Sequence, residues 1–387
     1  MMHLASDLTG GSRAHRHAFT PSRPVADLRR LAGRSELLQR LIRAIEDQDL
    51  HAVLYGDRGI GKTSVLRVVQ GLASEAGYLV HYVSCGPSAT FCEIFRGLAS
   101  KIPLLYDNRA DPTSSAALGG ATLADRLGPG DFSVSQLTDV LSGIDGIRVL
   151  LILDEFDRSD VDDFRRPVGE LVKNLSDRLI KVQLLIGGVA RNITDLVTQI
   201  PSIRRNIVGI GVPPLTSDEV IEMIDIAESF GEVRFDAQAR ERLVQVSGGL
   251  PYLVGLLGQH ATLLAAADGS RWINGTHIDQ AVGIGSQDIE SRLSARCGHA
   301  INLLLHGPQA ATLQAAARDA TRDGGIVVAP NLTARLAAHG DDFSSLLVPI
   351  PDDPQGAWSF VEDGAASLIW LRSLAAPVRK TLPPVHP

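Results

Sequence analysis

Ala52-Val53-Leu54-Tyr55-Gly56-Asp57-Arg58-Gly59-Ile60-Gly61-Lys62-Thr63 is the stretch from which the rest of the chain can be read. It opens as a short apolar run ending in glycine, the pattern of a buried strand. From Gly56 to Thr63 it satisfies G-x-x-x-x-G-K-[ST] in full, and an apolar helical spacing follows to about Ala76. Each residue type has a chemical reason. Glycines let backbone N–H groups turn inward around phosphate oxygens, and the following helix adds positive potential at its N-terminus. Lys62 is placed to reach β- and γ-phosphates, and the Thr63 hydroxyl to ligate Mg²⁺. Gly56, Asp57, Arg58, Gly59, Ile60, Gly61, Lys62, Thr63 and Ser64 are therefore the candidate nucleotide-binding set.

Outward from this loop, strands and helices alternate. Leu79–Ser84, Val149–Leu153, Val182–Ile186 and Ile207–Val212 read as further strands, with helices near 91–102 and 163–179 between them. That alternation predicts a parallel α/β sheet of five strands. Residues 104–133, rich in Gly, Ser, Asp and Pro, read as an insertion or long loop. The run Val149–Leu153 ends in Asp154-Glu155. A carboxylate at the end of a buried strand can hold Mg²⁺ through water, and its neighbour can polarise an attacking water. Asp154 is thus the second metal candidate beside Thr63, and Glu155 joins Lys62 as a catalytic candidate. Arg204 and Arg205 stand just before the fifth strand, where an Arg can reach a neighbouring subunit's γ-phosphate.

The composition narrows the function classes. The chain has 387 residues, 44% of them apolar and 21% charged, with a net charge of −7. Such a balance argues against disorder and against a wholly basic nucleic-acid binder, while a local basic patch stays open. No apolar run reaches the roughly 18–20 residues of a membrane span, and the N-terminus lacks a secretory h-region. Three cysteines (Cys85, Cys92, Cys297) make no disulfide or zinc framework, so a cytoplasmic location fits best. No His spacing of zinc type occurs, and His51 and His81 read as sheet positions.

Four segments follow: a flexible arm at 1–24, the nucleotide core at 25–213, a helical lid at 214–285, and a winged-helix-like domain at 286–387. The lid opens at Thr216, with Glu219 completing a capping box, and breaks at Gly231, Gly248-Gly249 and Gly269. In the last segment, helices precede two strands, 346–350 and 357–361, around an Asp-Asp-Pro-Gln-Gly turn. The candidate recognition helix, Asn331–His339, offers Arg335 and little else. Asp352 and Asp353 at the turn would repel phosphate, so protein contact is favoured over DNA reading.

Together, Gly33-Arg34-x-Glu36-Leu37, the phosphate loop, Asp154-Glu155 and Gly249-x-Pro251 resemble P-loop ATPases of the AAA+/STAND group. The nearest likeness is to bacterial and archaeal ATPases allied to origin-recognition initiators. The resemblance implies a five-stranded parallel P-loop NTPase sheet, a helical lid and a C-terminal winged helix. It implies Gly33 and Arg34 beside the adenine, Pro251 closing over base or ribose, and Arg205 as finger or γ-phosphate sensor. ATP and Mg²⁺ are the implied cofactors, with a protein partner or self-association, DNA weakly supported, and no membrane. The chain departs from the group where Gly-x-Pro replaces Gly-x-Ala-Arg, and where no residue clearly fills the first-sensor position, Arg191 and Asn192 being the candidates. The function expected is a Mg-dependent ATPase acting as a nucleotide-driven switch. A non-hydrolysing ATP/ADP-bound signalling scaffold and a DNA-dependent ATPase of loader or transposition type remain alternatives.

Overall fold

The computed structural model describes residues 18–21, 23–190, 205–322, 326–338, 343–350 and 356–374. The chain divides into two compact units, one of residues 24–213 and one of residues 214 onward together with the segment before Pro24.

The first unit is built on a parallel sheet. In chain order it holds α1 (Ser35–Ile42), β1 (His51–Gly56), α2 (Lys62–Glu75), β2 (Leu79–Ser84), α3 (Phe91–Ala99), α4 (Val134–Leu141), β3 (Val149–Asp154), α5 (Arg166–Asp177), β4 (Val182–Val189) and β5 (Ile207–Gly211). The strand order is β2-β3-β4-β1-β5, and every pairing is parallel. The five strands expected from the sequence are these five. β3 and β4 lie inside the sheet, covered on both faces, which is why they read as unbroken apolar runs. Val149 to Leu153 are all fully buried.

The stretch expected as an insertion or long loop is packed against the core. Leu104, Leu123 and Phe132 are buried with the sheet-covering residues of α3 and α4. Two isolated bridges, Pro103 to Thr122 and Asp107 to Ile144, tie it down. Arg96 of α3 donates to the carbonyls of Gly128 and Gly130, supplying the partners that its irregular backbone lacks. A few apolar anchors, spread thinly among polar residues, hold the segment.

The second unit begins with four helices, α6 (Ser217–Phe230), α7 (Ala237–Ser247), α8 (Pro251–Ala267) and α9 (Gly275–Glu290). Two short parallel strands, β6 (Arg234–Phe235) and β7 (Trp272–Ile273), join their ends. The capping box forms as the sequence predicts: Thr216 N–H donates to Glu219 at 2.7 Å, and Glu219 N–H to Thr216 Oγ1 at 3.3 Å. There follow α10 (Ala295–Leu305), α11 (Ala310–Arg322), β8 (Ile326–Val327), α12 (Pro330–Ala338), β9 (Leu347–Pro349), β10 (Trp358–Phe360) and α13 (Ala365–Leu374). The last three strands make an antiparallel sheet in the order β8-β10-β9. Trp370 of α13 donates its indole N–H to Val246 O of α7 at 2.9 Å, so the C-terminal helix packs directly on the first helices of the unit. Residues 18–21, assigned from sequence to a flexible arm, also pack here. The Phe19 ring is buried and meets Phe235 edge-on at 6.0 Å. Residues 1–17 of that arm lie outside the described residues, as do Asp352, Asp353 and His339. Among the described residues, no helix is long and apolar enough to cross a membrane.

Candidate functional site

The loop after β1 is shaped by its glycines. Gly56 sits at φ 148° and Gly61 at φ 97°, conformations that L side chains rarely adopt. A Cβ on Gly56 would also come within 2.9 Å of the Val212 carbonyl oxygen, so this position excludes a side chain twice over. Between them Ile60 is fully buried and pins the loop to the core, while Arg58 and Gly59 are exposed. Arg34 is buried and donates from Nη2 to the Ile60 carbonyl at 3.2 Å, bracing the loop from behind.

Lys62, the first residue of α2, is buried with its ammonium inside the loop. Nζ donates to Gly56 O at 2.9 Å and to Asp57 O at 2.6 Å. Burial pulls the ammonium down to about 8, against the opposing pull of Asp57, Asp157 and Asp154. An anionic ligand in the loop would favour the charged form that burial disfavours. Thr63 is half-buried beside it. The Ser64 hydroxyl accepts the Val25 N–H at 3.1 Å, which ties the start of the unit to the head of α2.

Asp154 ends β3, is buried, and has both carboxylate oxygens engaged. Oδ1 accepts the Glu155 N–H at 2.9 Å and Oδ2 accepts the Tyr82 hydroxyl at 2.5 Å. Glu155 follows at φ 54°, a left-handed backbone that turns the chain sharply out of the sheet. Its Oε2 accepts both Ser84 Oγ at 2.9 Å and Arg158 Nη1 at 3.0 Å. Asp157 then reaches across to accept the Val189 N–H at 2.7 Å, closing the β3 turn on the end of β4. Cys85 continues the β2–β3 ladder by donating its N–H to Asp154 O at 2.7 Å. Burial beside these carboxylates pushes its thiol up to about 12, so it is a packed side chain and not a nucleophile.

The structure therefore brings together Gly56 to Ser64, Arg34, Asp154 and Glu155 at the C-terminal end of the parallel strands, where open α/β sheets place ligands. Gly33 sits beside Arg34 at φ 64°. Arg205 is not among them. It is exposed and lies two residues before β5, whose first residue, Ile207, pairs with His51 at the start of β1. The loop leaves the far end of β1, so the length of the strand, roughly 16 Å at the usual rise, stands between them. Arg204, Arg191 and Asn192 lie outside the described residues. Pro251 belongs to the second unit, at the first position of α8 after Gly248 and Gly249, both with positive φ. A side chain on Gly249 would collide with Leu215 O at 2.3 Å.

Sequence reasoning passed over Tyr82, Ser84, Arg158 and Arg67. The first two alternate on β2 and so share one face of the sheet, a signal that period-2 patterning carries. Its meaning depends on the register that sets Ser84 against Asp154. Arg67 of α2 stacks on the Tyr82 ring, 3.4 Å from its centroid.

Residues 30–186 match the family described as an AAA ATPase domain. Among solved structures the chain is similar to Cdc6p from Pyrobaculum aerophilum, with a TM-score of 0.51 and 14% identity over 93% of this chain and 98% of that one. It is likewise similar to a Walker-type ATPase of Pyrococcus abyssi, with a TM-score of 0.53 and 14% identity over 90% of this chain and 98% of that one. At such identities the likeness is one of fold. No curated protein sequence matches the chain.

Proposed function

We propose, from the AAA ATPase domain that residues 30–186 carry, that the chain is a Mg²⁺-dependent ATPase whose nucleotide state acts as a switch. One observation carries this reading above the others. The buried Lys62 ammonium, donating to backbone carbonyls inside a glycine-shaped loop, sits on the same end of the sheet as two adjacent carboxylates. A cation that burial has weakened calls for an anion, and phosphate oxygens are the anions such a loop admits.

The donor set suits magnesium. A hydroxyl and a carboxylate oxygen are hard ligands, and Mg²⁺ commonly takes one or two such groups with water and phosphate completing the shell. Thr63 and Asp154 would hold it, and the ion would neutralise charge on the transferring phosphate. The chain's own residues do the rest. Lys62 gives up its carbonyl contacts to reach phosphate oxygens, Arg34 keeps the loop from yielding, and Glu155 accepts a proton from water. Ser84 and Arg158 both hold Oε2, and Oε1 is the oxygen this reading gives to that water.

Arg205, exposed at the opposite end of the sheet, supports completion of the site by a second copy or another protein. Turnover by the isolated chain is then slow. The β8-β10-β9 sheet following α11 supports a winged-helix-like module in the second unit. Three free cysteines, two of them buried, support a reducing, cytoplasmic setting.

The test is nucleotide binding and hydrolysis measured side by side on the full chain. Unmutated protein should bind ATP and release phosphate only with Mg²⁺. Glu155→Gln should bind equally well with turnover reduced at least about 100-fold. Lys62→Ala should lose binding. Unchanged hydrolysis in Glu155→Gln would remove Glu155 from the mechanism, and unchanged ATP affinity in Lys62→Ala would refute the site itself.

A further inference from the structure

We infer that Tyr82 is a positioning residue for the magnesium carboxylate, fixing the plane of Asp154 through its hydroxyl while Arg67 holds its ring. The inference rests on the nucleotide and magnesium reading above and deepens it.

A carboxylate at a strand end is free to rotate about its Cβ–Cγ bond unless something holds both oxygens. Here both are held: Oδ1 by the Glu155 N–H at 2.9 Å and Oδ2 by the Tyr82 hydroxyl at 2.5 Å. The first contact comes from the adjacent residue and turns with the same chain. The second comes from β2, a different strand, 72 residues away in sequence. That contact ties the carboxylate itself to a neighbouring strand of the sheet. Each carboxylate oxygen offers about two lone-pair positions, so the phenol on Oδ2 does not exhaust the acceptor. Partners of this kind orient a ligand and hold it in the geometry the metal needs.

The Tyr82 ring is itself fixed from a third element. The Arg67 guanidinium lies 3.4 Å from the ring centroid. Arg67 stands four residues after Thr63 on α2, one helical turn along the same face. The helix that offers one magnesium ligand therefore grips the tyrosine that aligns the other. A Cβ on Gly187 of β4 would lie 3.3 Å from Oδ1, so the glycine leaves room for the carboxylate on that side.

Tyr82→Phe removes the hydroxyl and keeps the ring, its packing and the Arg67 stack. The measurement is ADP binding by the full chain, by calorimetry or a fluorescent ADP analogue, across a Mg²⁺ titration and in excess EDTA. Tyr82→Phe should need about tenfold more Mg²⁺ to reach half of the magnesium-dependent gain in affinity, with ADP affinity in EDTA unchanged. Arg67→Ala, which frees the ring but keeps the hydroxyl, should shift the same midpoint in the same direction by less, about threefold. An unshifted magnesium midpoint in Tyr82→Phe would overturn the inference. So would an equal loss of affinity with and without Mg²⁺, which would make the hydroxyl a packing group. ADP binding by the unmutated chain that ignores Mg²⁺, or no binding at all, would instead defeat the reading of the site, and this inference with it.

Discussion

His51 shows how a single residue couples the sheet to pH. It begins β1 buried, accepts the Leu184 N–H on Nδ1 at 3.0 Å, and faces Ser176 Oγ from Nε2 at 3.2 Å. That pattern needs a neutral ring with its proton on Nε2, and burial pulls its pKa down to about 4. The unfolded chain, with the ordinary value of 6.5, takes up a proton that the folded chain refuses. Between those two values the unfolded state binds more protons, so stability falls as pH is lowered from 6.5 toward 4, by up to about 1.4 kcal/mol per pH unit from this group. Urea unfolding at a series of pH values should show the decline, and His51→Gln should reduce it, with His81, which burial also pulls down to about 4, supplying part of the rest. An identical slope in the variant would assign the acid sensitivity elsewhere. The phosphate-loop residues and Asp154-Glu155 were legible in the sequence because their chemistry is local: spacing along one turn and the end of one strand. Tyr82 and Ser84 were not, since each acts on a residue 72 or 71 positions away through strand register. Pairing of that kind is set by tertiary packing, which one sequence does not display.

Two helices on the first unit end in the same way with different residues. At the end of α2, Tyr78 N–H reaches back to Ala73 O and Gly77 N–H to Ser74 O, with Gly77 at φ 83°. At the end of α5, Ile180 N–H reaches Leu175 O and Leu179 N–H reaches Ser176 O, with Leu179 at φ 52°. Both are closures that favour glycine at the left-handed position. Leu179 is 88% exposed, so it gains nothing from packing that would offset its backbone strain. Leu179→Gly should therefore stabilise the chain by about 1 kcal/mol, and Gly77→Ala should destabilise it by a similar amount. Nothing lies within 4 Å of a Cβ built on Gly77, so that second cost is backbone alone. Denaturant midpoints at constant m-value measure both, and changes of the same sign would contradict the shared geometry. Elements announce themselves in sequence when periodicity or a cap is local, as at Thr216. β8, of two residues, and the packed segment after α3 carry no such pattern. The order of that segment comes from Arg96, Leu123 and Phe132 finding partners that sequence spacing does not name.

At the scale of the molecule, the chain enters through its second unit, runs through the nucleotide unit, and returns at Pro214. Phe19 is what fastens the entry. Its ring lies against Gly258 of α8, where even a Cβ would come within 2.7 Å, and meets Phe235 of β6 edge-on. Ala18 sits against Gly231 in the same manner, whereas a Cβ on Gly255 would make only ordinary contact with Pro21. Two glycines on the helical unit thus make room for one short segment, a complementarity invisible to a reading that saw only a polar, Arg-bearing N-terminus. Truncating a buried phenylalanine typically costs about 3 kcal/mol or more, from lost burial and the cavity left behind. Phe19→Ala should accordingly loosen the helical unit and leave the core of the nucleotide unit intact, because Val53 and Val149 to Leu153 are packed among residues of the sheet and its own covering helices. Hydrogen exchange resolves the two units in one experiment. Protection should fall in α8 and around β6, stay unchanged in β1 and β3, and ADP affinity should persist. A uniform loss of protection would mean the units unfold as one, and unchanged protection in α8 would mean Phe19 contributes nothing to the unit that buries it.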